Sequence, residues 1–437
     1  MNQQEKESTA SLFSWAMYDW ANNAFFTVIM TFVFAEYFAR AVARTGETSQ
    51  TGAQTIQGVA GMDQGAAAWG YALAASGALI AIGGPIIGAI ADRAGRRKHW
   101  LAVCTAVCVV ATAELWFVTP EPASLPFAVV HLIIAAIAAD YALLFYNAML
   151  PAIATRQRVG RWSGWGWALG YGGGLLCLIG ALGLHELGPS WLGLDTETQQ
   201  HTRASFLLAA GWYGLFALPL FFLTPDAPGT HRSLRDIVVG GLKQLRDTLV
   251  HVKQYGTIVR FLIARMIYID GLATTFAFGG IYAAGTFGVE PLRFGIAINV
   301  AAGVGAGVFA WVDDWIGSRR TILLSLVALT VCGLMLVIGQ NAAIFWCFGL
   351  ALGLFVGPVQ AASRSYLARL APEAMRNEMF GLYALSGKAT AFAGPLMVGL
   401  LNDWSGSMRL GMASLLVFFL AGLALMWPLP NVTHQSR

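Results

Sequence analysis

The sequence predicts an all-α polytopic membrane protein: twelve transmembrane helices in two pseudo-symmetric six-helix bundles. Three observations predict it. Of 437 residues, 57% are hydrophobic and only 11% charged, against roughly 25% charged in a soluble globular chain, so the chain lacks the polar side chains to wet its own surface. Twelve apolar stretches approach about 20 residues, the length an α-helix needs to cross a hydrocarbon core. The two halves also repeat short polar motifs in the same order, as a duplicated carrier would.

The expected spans run over residues 14–38, 66–91, 99–118, 125–150, 163–184, 204–224, 258–284, 292–312, 321–338, 342–365, 378–402 and 409–428. Span one follows a start with Glu5, Lys6 and Glu7. That start has no cationic leader and no cleavage site, so the span reads as an uncleaved helix. A long outer loop is expected near 39–65. After span six, Pro225 and Pro228 stop the helix. Leu234, Ile237, Val238, Leu242, Leu245, Leu249 and Val252 then recur at helical spacing, with Arg232, Arg235, Lys243, Arg246 and Lys253 largely on the other face. That is an amphipathic helix suited to an anionic inner leaflet, or a solvated linker helix. It divides the chain into residues 1–224, a linker at 225–257, and residues 258–437.

Net charge is +4, and the 27 Lys and Arg residues are unevenly placed. With the N-terminus in the cytoplasm, only Arg40, Arg44, Arg203, Arg293 and Arg409 fall in outer loops, and Arg265 and Lys388 fall inside spans. The positive-inside rule therefore predicts cytoplasmic N- and C-termini, with a bacterial plasma membrane as the expected location. Short juxtamembrane basic clusters make nucleic acid a poor partner. The five cysteines, Cys104, Cys108, Cys177, Cys332 and Cys347, all lie in apolar stretches without metal-type pairing.

Three echoes link the halves. Gly88 to Arg97, containing Asp92-Arg93-Ala-Gly95-Arg96-Arg97, matches Ala310 to Arg320, containing Asp313-Asp314 and Gly317. Tyr18-Asp19 resembles Tyr268-Ile269-Asp270. Gly164 and Gly170 match Gly381 and Gly387. In the first loop Gly88 permits close helix approach, Gly95 permits a tight turn, and Asp92 is placed to accept from helix-end amides or an arginine. The loop reads as a gate made of Gly88, Asp92, Arg93, Gly95, Arg96 and Arg97. The plainer reading is that its basic residues only set topology.

Each ionisable residue inside a span costs roughly 2.5–3.5 kcal/mol at a helix centre, so each needs a partner or a wet cavity. Asp270 and Lys388, at similar depth and opposite sign, are expected to pair. Asp140, Glu114, Asp19 and Arg265 are the others, Glu114 expected to snorkel and Arg265 to snorkel or pair locally. His131 is expected to be a packing residue. Polar clusters fall at Asn22, Asn23 and Thr27, at Tyr146 and Asn147, and at Gln360, Ser363, Arg364 and Ser365. Placed in spans one, four and ten, with Asp270 in span seven, they surround one central cavity or act as interhelical glue. Gly166-x-x-x-Gly170-x-x-x-Gly174 and Gly303-x-x-x-Gly307 are close-packing seams. Gly387-Lys388 lacks the rest of a phosphate loop, and no His-Glu-x-x-His or Gly-x-Ser-x-Gly occurs.

Several runs resemble the major facilitator superfamily, and within it the "unknown major facilitator" branch that contains the fungal autophagy-related vacuolar effluxers. They are Tyr18-Asp19-Trp20-Ala21-Asn22, the Asp92–Lys98 loop, Ser163-Gly164, Gly170-Tyr171, Tyr268 with Asp270-Gly271, Gln360 with Ser363-Arg364-Ser365, Phe380-Gly381-Leu382-Tyr383, Gly387-Lys388 and Gly394-Pro395. The resemblance implies twelve helices, alternating access and a central solute site, with amino-acid export known for the fungal member. Two positions depart from the branch. Ile269 replaces the usual Asn before Asp-Gly, and Trp315 stands where the second loop usually has a basic residue, implying a weaker second latch.

The reading is a monomeric secondary transporter for a small polar solute, with an amino acid as the expected class. It moves the solute among membrane lipids by rocking two bundles, with no cofactor or metal. Asp19, Asn22, Asp140, Asn147, Asp270, Gln360, Arg364 and Lys388 form the expected pathway. Asp19 or Asp270 is the expected acceptor of a coupling proton, because burial disfavours an ionised carboxylate. The rival readings are an intramembrane enzyme on a lipid-linked substrate, with Asp313-Asp314 holding a divalent cation, and a sensor of the same fold that binds without transporting.

Overall fold

A computed structural model describes residues 8–38, 57–226, 234–250, 252–289 and 291–432. The described residues are helical throughout, without a strand. Eleven helical segments among them are long and apolar enough to cross a bilayer. A twelfth is continuous but mixed: α1 (Thr9–Ala24), π-helical turns over Phe25–Phe32, then α2 (Val33–Tyr37). The first half continues with α3 (Gln57–Ala94), α4 (Arg97–Glu114), α5 (Leu125–Ile153), α6 (Val159–Leu192) and α7 (Gln200–Leu223). After the linker helix α8 (Leu234–Val250) come α9 (Gly256–Phe287), α10 (Pro291–Ile316), α11 (Ser318–Ile338), α12 (Ala342–Leu370), α13 (Arg376–Lys388), α14 (Ala393–Ser405), α15 (Met408–Ala413) and α16 (Leu415–Met426).

Two expectations change here. The stretch 378–402 is not one helix. It breaks between Lys388 and Ala393, where the amides of Ala391 and Ala393 bond three residues back to the carbonyls of Lys388 and Thr390. The Thr390 hydroxyl leaves its own helix to donate to the carbonyl of Met266 on α9 (3.3 Å), so the neighbouring helix holds the break in place. The outer loop near 39–65 is also shorter than expected, because the chain is helical from Gln57. Residues 39–56, with Arg40 and Arg44, lie outside the described residues, as do Arg232 and the side chains of Arg235, Leu249 and Lys253.

The halves meet along two glycine seams. On one, α3 lies against α13: a β-carbon at Gly381 would sit 2.5 Å from the carbonyl oxygen of Gly84, and one at Gly88 would sit 2.5 Å from that of Asn377. On the other, α6 lies against α10: a β-carbon at Gly164 would sit 2.5 Å from that of Ala310 and 2.7 Å from the carbonyl of Ala306. The echo of Gly164 in Gly381 is thus one device used twice. Small residues let backbones approach where lipid supplies no hydrophobic drive between helices. Within the first half, Gly170, Gly173 and Gly174 of α6 make room for Asn23 and Trp20 of α1 and Thr27 of the π-helical turns that follow it.

The linker helix α8 sits across the α3–α13 seam at the end we call the linker end. Its buried face presents Ile237, Gly241 and Thr248, while Lys243 and Arg246 are exposed. Gly241 lies against the backbone of Ile90, where a β-carbon would come within 2.8 Å of its Cα.

Gly381→Ala therefore forces backbone against backbone and is expected to lower stability by about 1–3 kcal/mol. Gly77→Ala, whose β-carbon meets nothing within 4 Å, is expected to raise it by up to about 1 kcal/mol through helix propensity. Thermal unfolding of the two variants in detergent should shift in opposite directions.

Candidate functional site

Asp19 on α1 and Arg364 on α12 meet at mid-depth. Arg364 Nη1 donates to Asp19 Oδ2 at 2.9 Å, and both residues are buried, at 5% and 3% exposure. The same guanidinium donates through Nε to Ser163 Oγ (2.9 Å), through Nη2 to the Ser163 carbonyl (2.6 Å), and through Nη1 to Asn147 Oδ1 (3.3 Å). It also lies over the rings of Trp15 and Tyr146. The Tyr146 hydroxyl donates to Asp19 Oδ2 at 2.9 Å. Gly166 is required beside them, since a β-carbon there would fall 2.6 Å from Asp19 Oδ2. A buried ion pair is tolerable only when further hydrogen bonds compensate its lost hydration, and Arg364 engages all three of its guanidinium nitrogens.

Of the other residues expected to line a pathway, Asn147 touches the pair, and Asn22 and Gln360 lie about one helical turn from Asp19 and Arg364 on the same helices. Asn22 is 1% exposed, and its Oδ1 accepts from Asn23 while its Nδ2 has no partner. Gln360 Nε2 donates to the Tyr171 hydroxyl at 3.3 Å. The structure thus gathers Asp19, Asn22, Asn147, Gln360 and Arg364.

The expected pairing of Asp270 with Lys388 is not found. Lys388, at the last turn of α13, reaches across to Asp140 on α5, with Nζ to Oδ2 at 3.3 Å. This pair is wetter than the first, with side chains 36% and 16% exposed. Asp270 instead caps α14: its Oδ2 accepts the amide of Gly394 at 3.1 Å, while its Oδ1 is buried without a partner. The break in span eleven explains the difference. It turns Lys388 toward the first half and presents a helix N-terminus, which favours an anion, to Asp270.

The gating loop is closed by capping. Asp92 Oδ1 accepts the backbone and side-chain amides of Asn377 (3.1 and 2.7 Å), and Oδ2 accepts the amide of Glu378 (2.9 Å). The first turn of α13 is therefore capped by a residue of the other half. Arg97 lies 3.7 Å from Asp92. Gly95 and Arg96 take positive φ, 67° and 51°, to turn the chain into α4. Arg93 bonds Gln244 of α8, which in turn bonds Glu378 (3.0 and 2.9 Å).

The second loop is built differently. Arg369 of α12 bridges Asp313 (2.6 Å) and Asp314 (3.0 Å), and Arg161 of α6 approaches Asp314 (3.6 Å). The basic partners missing at Trp315 come from neighbouring helices. The two carboxylates proposed for a metal in the enzyme reading are thereby engaged by guanidinium groups.

Of the two expectations for Arg265, snorkelling or local pairing, the structure shows it buried and bonded, to the Tyr383 carbonyl and Ser386 Oγ (2.8 and 2.7 Å). Glu114 and His131 pair with each other at 2.9 Å. Sequence reasoning missed Asn377 and Glu378, which look like ordinary polar residues at a helix start, and Gln244, which looks like an ordinary polar residue within the linker helix. It also counted Arg369 and Arg161 only as topology charges.

The two ion pairs inside the spans share one sign pattern. The carboxylates Asp19 and Asp140 belong to the first half, and the cations Arg364 and Lys388 to the second. The hydrogen bonds that cross between halves run from the linker end to mid-depth, whereas α14 beyond the break rests on α9, α15 and α16.

Comparison with known proteins agrees with this architecture. The family model described as vacuole effluxer Atg22 like matches residues 7–435. An uncharacterized MFS-type transporter YxiO of Bacillus subtilis (strain 168) is 27% identical over 97% of this chain and 95% of its own length. Autophagy-related protein 22 of Eremothecium gossypii is 23% identical over 58% of this chain, and the match spans about half of that protein, 53%. Among solved structures, the proton:xylose symporter XylE superposes with a TM-score of 0.73 at 13% identity, covering 99% of this chain and 98% of that one. The human organic anion transporter MFSD10 superposes at 0.67 and 14%, covering 95% and 99%.

Removing one charge of the central pair strands the other. Asp19→Asn and Arg364→Gln are each expected to lower stability by about 3–5 kcal/mol. The double variant should lose less than the sum, as a thermal-unfolding double-mutant cycle would report.

Proposed function

The chain belongs to the vacuole effluxer Atg22-like family and has the major facilitator fold, and from that premise we propose that it is a secondary transporter for a zwitterionic amino acid, coupled to protons. The observation that carries the reading is the segregation of charge across the bundle interface. Separating the halves at the linker end leaves Asp19 and Asp140 without cations, and Arg364 and Lys388 without anions. Each stranded charge costs several kcal/mol. A solute with an ammonium and a carboxylate supplies both missing partners, whereas a neutral solute supplies neither.

In this reading residues 1–224 and 258–437 are the moving bundles and 225–257 the linker. The linker end, where Lys and Arg collect, is cytoplasmic together with both termini. Asp92 on the first turn of α13, and Asp314 facing Arg161 of α6, are the cytoplasmic latches, with Arg369 holding Asp313 and Asp314 from within their own half. The state described is sealed on that side. The solute enters from the opposite face, meets the wetter Asp140–Lys388 pair, then the buried Asp19–Arg364 pair. As it takes over their charges the latches release and the site opens inward, the alternating access expected of two rocking bundles. Asn22, Asn147 and Gln360 supply neutral polar contacts along the path.

Counterflow of labelled L-amino acids in proteoliposomes tests this. Wild-type protein should exchange them, and Asp140→Asn and Lys388→Gln should each slow exchange by roughly tenfold, since each removes one of the two charges that would meet the solute. Binding without any exchange would favour the sensor reading. Asp270→Asn should abolish uptake driven by a pH gradient and leave folding intact; unchanged uptake would remove Asp270 from the mechanism.

A further inference from the structure

Asp270 is the charged residue within the spans whose surroundings the mechanism above leaves unexplained. It is 3% exposed, makes no ion pair among the described residues, and has one carboxyl oxygen with no hydrogen bond. Its other oxygen caps the second part of a broken span. The charged groups on elements packed against α9 are engaged elsewhere. Arg265 is on the Tyr383 carbonyl and Ser386, Arg364 on Asp19, Lys388 on Asp140, Arg409 on the carbonyls of Val337 and Gly339, and Asp313 and Asp314 on Arg369. Among tyrosines, Tyr268 is bound to Ser363 and Tyr366 to the Pro430 carbonyl. Arg293 of α10 also has a partner. The α16 segment carries no ionisable residue, and the one such residue of α14, Asp403, has a side chain outside the described set.

A carboxylate buried this way neutralises itself rather than keep an unpaired charge. A metal ion would need several converging oxygens. Next to Asp270 the break offers only Thr274, whose hydroxyl already donates to the Asp270 carbonyl (2.8 Å), and the Gly394 amide. A proton needs one oxygen, and Oδ1 is free to take it.

Lys388 completes the device. It ends α13, and the amide that Asp270 caps is only six residues further on, in the same half. Its present partner, Asp140, is in the opposite half. When the halves part at the linker end Lys388 loses Asp140 but moves together with Asp270.

We propose that Asp270 is the coupling-proton site, and that Lys388 exchanges Asp140 for Asp270 as the linker end opens, expelling the proton there. The step balances. In the sealed state Asp270 is a neutral acid and Lys388 is paired with Asp140. In the open state the Asp270 O–H bond has broken, its electron pair stays on oxygen, the proton leaves to water on the linker side, and the ammonium of Lys388 pairs with the new carboxylate. Asp19, the other candidate expected from sequence, has the Arg364 guanidinium on its Oδ2 at 2.9 Å, a cation that Asp270 lacks among the described residues. The inference rests on the carrier reading for its purpose, but not for its test.

Infrared spectroscopy of the purified protein in lipid vesicles, without any solute, reads the state of the acid. Wild-type protein near neutral pH should show the C=O stretch of a protonated carboxyl that is lost in Asp270→Asn. The same band should be lost in Asp140→Asn, because Lys388 then turns to Asp270 and ionises it. In Lys388→Gln the band should persist to higher pH than in wild type. Identical spectra for wild type and Asp270→Asn would overturn the site. A band that survives in Asp140→Asn would overturn the exchange. Since the spectra need no substrate, a protein that failed to exchange any amino acid would overturn the carrier reading and leave these outcomes as decisive as before.

Discussion

The guanidinium of Arg364 is the tie on which the sealed state depends. It sits on a helix of the second half, yet its hydrogen bonds run to Asp19, Asn147 and both Ser163 oxygens of the first. Removed from water and from lipid, such a group has to keep its partners, and four of them are present only while the two halves are together at that depth. Whatever opens the linker end must first offer Arg364 another anion. In the proposed carrier that requirement, more than any shape of cavity, makes the packed helices respond to a charged solute.

The rest of the interface lets that tie form and adds smaller ones. Gly84 with Gly381, and Gly164 with Ala306 and Ala310, bring backbones near enough for side chains at mid-depth to reach across. At the linker end each half uses acidic residues from its short loop against the start of a helix in the other. Asp92 caps α13 through the amides of Asn377 and Glu378, and Asp313 and Asp314 face the start of α6 near Gly160 and Arg161. The symmetry is one of position and not of chemistry: amides close one latch, guanidinium groups the other. A helix N-terminus is a partial positive charge already in place, so the first latch needs no arginine of its own.

The break between α13 and α14 decides how the second half is wired. Its first part is fastened to the opposite half through Asp92, the glycine seam and Lys388. Its second part is fastened to its own half through Asp270. Arg265 meets the Tyr383 carbonyl near the end of the first part and Asp270 an amide at the start of the second, each with the sign a helix dipole favours there. One span thus carries a boundary between what is shared by the halves and what is not.

Much of this was legible in the order of residues. Composition and hydropathy determine that the chain crosses a membrane many times, because lipid leaves the backbone no alternative to helix. The cost of a buried charge picks out Asp19, Asp140, Asp270 and Lys388 without any coordinates, Arg364 stands out as part of a polar cluster, and the glycine echoes mark both seams. What the residues could not tell was which charge answers which. Asp270 and Lys388 look like partners at equal depth, yet partnership depends on which way each helix turns, and the turn of Lys388 depends on a break that apolar composition alone conceals. Asn377, Glu378 and Gln244 were invisible for a related reason: a cap or a bridging amide has no sequence signature when its partner lies hundreds of residues away. Depth and burial follow from local chemistry; pairing across the bundle is a property of the packed whole, since only packing sets which side chains share a site too dry for either to stand alone.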